Sequence, residues 1–450
     1  MTSVNNKYNF RTLNYLGSKL RLLDFIEENI ASVTPKGCGV CDLFAGSGCV
    51  SYKISRLFPI TSCDIQGYSK VICYALFSEC SISDADIEEL LLAFNSDFAC
   101  TLKSAFKEVI GIEQSAIDNK DVELLTNILE HGSAEVSRLE KNDTPVYKYL
   151  SKVNMSLYNN GLDSEKSLIS RYYGGVYFSY QQAVDLDILL DAIHKVKDYN
   201  KKNVFLAALL STASDIVDTV GKHFAQPIKA RDSKGNIKSS TVYNKAVKDK
   251  TIKVLPLYQE WLNRYIALPR SKNSHTAIQS NYLDCLRNLP DNVKTIYADP
   301  PYTRDHYSRF YHVLETMTLR DTPEISTVKI HGEKHISNGI YRKDRHQSPF
   351  CIRSQAPDAF REMFKIASST GKNVLLSYSP YDETKKTHPR VVTMQQLTDL
   401  AKEYFSSVEI KSAGHFVHNK LNSTEHFLEA SNEAEVLIIC TNSIANKLND

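Results

Sequence analysis

The sequence predicts an α/β fold, a doubly wound parallel sheet divided between the two ends of the chain and interrupted by a mostly helical insertion. Short β-rich runs alternate with helical patterns over residues 1–75 and again over residues 281–450, whereas residues 76–280 carry long amphipathic helical segments separated by polar loops. A split sheet explains this change and its reversal better than three tandem domains. No internal repeat is visible.

The elements follow in order. Within Leu16–Ile30, the residues Leu22, Leu23, Ile26 and Ile30 recur at helix spacing. Cys38–Phe44 is a compact apolar run that reads as a strand and ends in Ala45-Gly46-Ser47-Gly48. Val50–Leu57 resumes a helical pattern, and Pro59–Cys63 reads as a second strand ending at Asp64, which completes a βαβ unit. In the insertion, Ile87–Phe94, Val184–Val196 and Phe205–Val217 read as helices, with loops such as Asp232–Ser240 between them. Beyond it, Lys294–Ala298, Asn373–Ser379 and Ala434–Cys440 are strand-like, and Ser308–Leu319, Pro357–Ala367 and Thr393–Tyr404 are helical.

Composition removes several classes of protein. A chain of 450 residues with 42% hydrophobic and 24% charged content is not collagen, a coiled coil or a disordered polymer. Its longest apolar stretches, such as Val374–Leu376 and Val436–Cys440, fall far short of the roughly 20 residues a membrane helix requires. The polar opening MTSVNNKYNFRT has no apolar core or small-residue cleavage site, so cytoplasmic residence is expected, with the ten cysteines reduced. The net charge of +2 conceals an asymmetry: Val71–Glu140 holds 14 acids against 4 bases, a net of −10, and Gly221–Lys272 holds 12 bases against 3 acids, a net of +9. The basic stretch fits a polyanion, and it also fits a solvated surface.

Asp42-Leu43-Phe44-Ala45-Gly46-Ser47-Gly48 stands where a first strand meets its helix, the place where open parallel sheets bind nucleoside-like ligands. It lacks the Gly-Lys-Ser/Thr ending of a phosphate loop and the GxGxxG spacing, so a nucleoside without phosphate fits better. Asp64, at the next strand end, is placed to accept from both ribose hydroxyls; such an Asp also serves as a turn or helix cap. Asp299-Pro300-Pro301-Tyr302 follows the strand Lys294–Ala298. Its two prolines stiffen the backbone and remove two N–H donors, leaving an acceptor-rich site for an amino group beside an aromatic face for a planar base.

Three ordered blocks together resemble the alpha group of S-adenosylmethionine-dependent DNA adenine-N6 methyltransferases, which includes the Dam enzymes: Asn14-Tyr15-Leu16-Gly17-Ser18-Lys19, Asp42 to Gly48, and Asp299 to Tyr302. The resemblance implies a Rossmann-like methyltransferase domain over residues 1–75 and 281–450, with a helical target-recognition insertion over 76–280. It further implies S-adenosylmethionine as the methyl donor. Tyr15 and Lys19, beside Gly17, would contact the donor's amino-acid portion. Asp42, Phe44, Ala45, Gly46, Ser47 and Gly48 would line it, and Asp64 with Ile65 would hold its ribose. Ser280-Asn281-Tyr282-Leu283-Asp284 resembles the block that approaches the donor's adenine. Asn281 occupies the position where many relatives carry Asp, and Asp284 is the alternative. Tyr307, Tyr311, His312 and Glu315 resemble the aromatic segment that follows the catalytic block, as substrate-loop support or as packing.

The chemistry expected of such a site is positioning. Hydrogen bonds from an exocyclic amine to the Asp299 carboxylate and the Pro300 carbonyl would favour the pyramidal nitrogen whose lone pair attacks a methyl group. A stacked base cannot reach that geometry, so the adenine must flip out, with Tyr302 replacing part of its stacking. Double-stranded DNA is the expected partner, held by Lys222, Lys229, Arg231, Lys234, Lys238, Lys245 and Lys248. The reading allows for a cognate restriction endonuclease, expects a monomer and involves no membrane. Amino methylation of cytosine or RNA is the nearest alternative; a non-catalytic DNA-binding protein that kept the fold is another. No metal is implied. Cys38-x-x-Cys41 lacks a second ligand pair, and His415 and His418 lack a third ligand. Tyr173–Tyr180 fits a turn beside a base or a packed turn.

Overall fold

The computed structural model describes residues 8–141, 143–304, 306–330, 332–379, 390–413 and 435–445. They fall into two compact units, one drawn from Met1–Ser78, Leu268–Ser308 and His346–Asp450, the other from Glu79–Ala267 and Arg309–Arg345. The expected insertion 76–280 therefore ends early, and residues 309–345 join the second unit. The strands are β1 (Gly39–Asp42), β2 (Ile60–Asp64), β3 (His275–Gln279), β4 (Val293–Ala298), β5 (Thr327–Ile330), β6 (Glu333–Ile336), β7 (Asn373–Tyr378), β8 (Phe405–Ser412) and β9 (Val436–Ser443). The expected start at Ala434 lies outside the described residues.

The first unit is mixed α/β around a mostly parallel seven-stranded sheet of order β3-β2-β1-β4-β7-β9-β8, in which β9 runs antiparallel to both β7 and β8. Its central strands are almost wholly buried, as parallel strands covered on both faces must be. Side chains alternate between the faces. Val40, Tyr297 and Leu375 pack with Leu23, Ile26 and Ile30 of α1 (Leu23–Val33) and with Val50 and Ile54 of α2 (Cys49–Ile54). Cys41, Ile296 and Leu376 pack with Phe360 and Phe364 of the helix Ala356–Ser369 on the other face. Each such aliphatic or aromatic side chain contributes about 1.5–3 kcal/mol relative to exposure. β3 escaped the sequence reading because His275-Thr-Ala-Ile-Gln is an edge strand, partly exposed, and has no apolar run; it pairs in parallel with β2, His275 opposite Ile60.

The second unit is mainly helical, with Asp97–Asp118, Tyr180–Lys195, Tyr199–Ile216 and Val254–Ile266 among its helices, and with β5 and β6 paired antiparallel. Leu102, Phe106, Val184 and Ile188 share one core there. Tyr173–Tyr180 is a packed turn: Tyr173, Tyr177 and Tyr180 are fully buried, and the Tyr177 hydroxyl donates to the Phe224 and Gly339 carbonyls at 2.8 and 3.0 Å. The expected helix Ser308–Leu319 breaks into Tyr307–Phe310 and His312–Leu319, since Tyr311 leaves the helical region at φ −124°. Among the described residues no helix is long and apolar enough to cross a membrane.

Candidate active site

Strand order reverses between β1 and β4, and in a parallel sheet the loops leaving two such strands diverge and open a crevice at their carboxyl ends. A cavity of about 520 Å³ lies there. It is lined by Leu43 and Phe44 after β1, Asp64, Ile65, Gln66 and Tyr68 after β2, Ser280 to Asp284 after β3, and Asp299 and Pro301 after β4, with Tyr15, Tyr307, Ser308, His346, Ser348, Pro349 and Phe350 completing the wall. Three rings flank it together: Phe44 and Phe350 at 5.4 Å, Tyr282 and Phe350 at 4.9 Å, Phe44 and Tyr282 at 6.1 Å. Phe350 and the residues before it carry no local sequence signal; only the fold brings them to the cavity.

The loop after β1 is built by two left-handed glycines, Gly46 at φ 53° and Gly48 at φ 72°. A Cβ on Gly46 would stand 2.6 Å from the Tyr15 hydroxyl, and one on Gly48 would stand 2.8 Å from Leu76 in α3 (Gly67–Phe77). These glycines thus admit neighbouring protein. Of the loop residues expected to line the ligand, Phe44 lines the cavity, while Ala45, Gly46, Ser47 and Gly48 are buried and absent from the cavity wall. Asp42 is also absent from it: its Oδ2 accepts from the Ser51 amide at 3.2 Å and the Ser51 hydroxyl at 2.7 Å, tying β1 to α2. Burial pushes this carboxyl up to about 7, against the Ser51 hydrogen bonds. Asp64 does line the cavity, and accepts from the Gly46 amide through Oδ2 and the Gln66 amide through Oδ1, both at 2.9 Å. Burial raises its pKa and these amides pull it back.

Lys19 was expected at the donor. In the structure its ammonium, with the residue 4% exposed, stands 3.1 Å from Asp299 Oδ1 and 3.3 Å from Glu435 Oε1. Burial opposes its charge, yet Asp299 and Glu435 hold its pKa well above the usual lysine value. Burial pushes the Asp299 carboxyl up to about 6, Lys19 drawing it down and Glu435 pushing it further up. The Tyr302 ring has the Arg390 guanidinium at 4.8 Å and Tyr378 at 5.2 Å. Asn281 is a helix cap: its Oδ1 accepts from the Asp284 amide at 3.0 Å and its Nδ2 donates to the Asp284 carboxylate. Tyr282 and Asp284 line the cavity beside it. Tyr307 lines the cavity and donates to the Leu16 carbonyl at 3.2 Å, whereas Tyr311, His312 and Glu315 are buried in the second unit.

The basic stretch divides. Lys222 and Lys245 both pair with the buried Asp249, at 2.8 and 3.0 Å, and Arg231 pairs with Glu130 at 3.1 Å. Lys229, Lys234 and Lys248 are exposed and Lys238 is half-buried; among the described residues no ion pair engages these four. Cys41 is buried in β1 with its sulfur 4.0 Å from Cys285, and no group of three or more metal-ligating side chains occurs among the described residues. His415 and His418 lie outside them.

The family of D12 class N6 adenine-specific DNA methyltransferases matches residues 15–253, more than half of the chain. The chain belongs to this family. The D12 match spans Tyr15, the loop after β1 and Asp64, and ends before Asp299. Among characterised proteins, the chain is 23% identical over 401 residues to the modification methylase LlaI of Lactococcus lactis subsp. lactis, covering 87% of this chain and 49% of that protein. It is 22% identical to the type II methyltransferase M.FokI of Planomicrobium okeanokoites, covering 82% of this chain and 44% of that one. With M.CviAII of Paramecium bursaria Chlorella virus 1 the identity is also 22%, over 82% of this chain and 83% of the viral protein. The chain spans about half the length of the first two.

Proposed function

We propose that this D12 class protein is a site-specific DNA methyltransferase that moves a methyl group from S-adenosylmethionine to the exocyclic N6 amine of an adenine flipped out of duplex DNA, in a restriction-modification or mobile-element setting. The observation that carries this reading is Asp299, set directly after β4 at the edge of a cavity that also holds Asp64 and three aromatic rings. A volume of about 520 Å³ suits a nucleoside-sized ligand, and the wall has the chemistry of the donor: rings for a purine and a carboxylate for a ribose diol. Phe44, Tyr282 and Phe350 would hold the purine, and Asp64 the diol. The donor would supply an electrophilic methyl group on a sulfonium.

The rest of the work falls to this chain's own groups. Asp299 accepts hydrogen bonds from the amine, the Pro300 carbonyl offers a second acceptor, and Tyr302 gives the extruded base a ring to stack on, offsetting unstacking that costs a few kcal/mol. The first unit is read as a doubly wound, Rossmann-like methyltransferase domain and the second as the helical part that recognises DNA. Lys229, Lys234, Lys238 and Lys248 are its phosphate contacts in this reading. The test is expression in a host without adenine methylation, followed by sequencing that reports modified bases. N6-methyladenine at one short motif is expected; N4-methylcytosine, or an unmodified genome, overturns the proposal.

A further inference from the structure

We propose that Glu435 is a positioning residue for the transfer: it holds the Lys19 ammonium between two carboxylates, so that Asp299 keeps net negative charge with which to receive the target amine. The inference rests on the methyltransferase reading above and adds to it a residue outside the three sequence blocks. Glu435 is 2% exposed and directly precedes β9. Because β9 runs antiparallel to β7, with Val436 opposite Tyr378, its first residue lies at the edge where the parallel strands end. There Glu435 Oε1 accepts from the Ser377 hydroxyl at 2.8 Å and stands 3.3 Å from Lys19 Nζ, which in turn stands 3.1 Å from Asp299 Oδ1.

The charge balance explains why a second acid is useful. A lysine paired with Asp299 alone would neutralise it, leaving a weak acceptor. One ammonium between two carboxylates leaves one net negative charge over the three groups. When the amine's lone pair forms the new N–C bond, the departing sulfur keeps the pair of the bond that breaks, and the nitrogen becomes cationic. Its proton then passes to the Asp299 carboxylate. A carboxyl held near 6 by burial and by Glu435 is a better base for that proton than an ordinary one. The other titratable groups that sense Asp299 are Asp42 and Cys49 behind the loop after β1, Tyr297 on β4 and Tyr302; all are present in every variant below.

The experiment is single-turnover transfer to an adenine-containing duplex at saturating donor, measured against pH for wild type, Glu435→Gln and Glu435→Asp. Removing a like charge at this range moves a carboxyl by roughly 1 unit or more. In E435Q the acid limb should therefore shift toward lower pH by about 1 unit, while the plateau rate falls because a less basic Asp299 is a poorer acceptor. E435D, which keeps the charge, should retain the wild-type limb. The same shift should appear in the 13C titration of the Asp299 carboxyl in donor-free protein, assigned by its loss in D299N. If E435Q does not fold, the charge-removing pair K19Q and K19Q/E435Q replaces it: the single variant should move the limb to higher pH and the double should move it back. A limb unmoved by loss of the Glu435 charge, with only a uniform fall in rate, overturns the inference and leaves Glu435 as structural support. Failure of wild type to methylate adenine would instead overturn the reading on which it rests.

Discussion

If Asp64 holds the donor's ribose, as proposed, replacing it by alanine isolates that contact from the rest of the site. The carboxylate already accepts one backbone amide on each oxygen, Gln66 on Oδ1 and Gly46 on Oδ2, and the ribose hydroxyls would be further donors to it. A hydrogen bond to a charged acceptor contributes about 1.5–3 kcal/mol net. Water partly replaces the lost partner in an open cavity, so the expected cost in donor binding is about 1–3 kcal/mol, or roughly 5- to 150-fold in Kd. Calorimetry on the DNA-free protein measures it. Because Asp64 also braces the loop after β1, a thermal melt without donor should fall as well, and affinity alone does not separate the two roles. A donor analogue lacking a ribose hydroxyl does: it should weaken binding to wild type more than binding to D64A, since the variant has no acceptor left to lose. An equal penalty in both proteins would refute the ribose assignment and leave Asp64 as a brace between β2 and the loop.

Other outcomes follow from the same geometry. If the Asp299 carboxylate receives the amine, as proposed, Asp299→Ala should abolish transfer while calorimetric donor affinity stays within a few-fold of wild type; activity near wild type would exclude it. If transfer needs ionised Asp299, as proposed, its carboxyl held near 6 means that the wild-type rate should rise with pH through about 6, and a flat profile between 5 and 7 would contradict this. Asp42 is raised from 3.8 to about 7, so the folded state binds its proton more tightly, and the stability this contributes is full below pH 4 and lost as pH rises through 7. Asp42→Asn should therefore stabilise the protein at pH 8 by at most about 4 kcal/mol, at about 1.4 kcal/mol per unit, raising the Tm there and changing it little at pH 4, with donor affinity unchanged. For DNA, each neutral replacement at Lys229, Lys234, Lys238 or Lys248 should lower the magnitude of the slope of log affinity against log salt by about 0.9, whereas Lys222 and Lys245 replacements should leave the slope and lower the Tm. An unchanged slope in the quadruple variant places DNA elsewhere.

Local pattern determined a good deal of this protein. The runs Cys38–Phe44, Pro59–Cys63 and Lys294–Ala298 were legible as strands, the first because a parallel strand buried on both faces is apolar along its length. The loop after β1 and Asp299-Pro300-Pro301-Tyr302 were legible because a strand end that must turn sharply or present acceptors needs particular residues at adjacent positions. Position in the chain then placed Phe44, Asp64, Tyr282 and Asp299 at one cavity, since the carboxyl ends of parallel strands share one edge. What sequence could not determine depends on partners far away in the chain. β3 has no apolar run because an edge strand needs none, so its place beside β2 came only from pairing. Asp42 has the residue type of a ligand contact, but the packing of α2 on β1 gave its hydrogen bonds to Ser51, whereas the cap that Asn281 forms with Asp284 is local. The charge total of Gly221–Lys272 counted Lys222 and Lys245 as free cations, whereas folding sets both against Asp249. By sequence Glu435 falls within the strand-like run Ala434–Cys440 and carries no signal of its own. Only the reversed direction of β9 carries its carboxylate to the edge where Lys19 and Asp299 meet, because strand direction is a property of the sheet and not of the five apolar residues that form the strand's start.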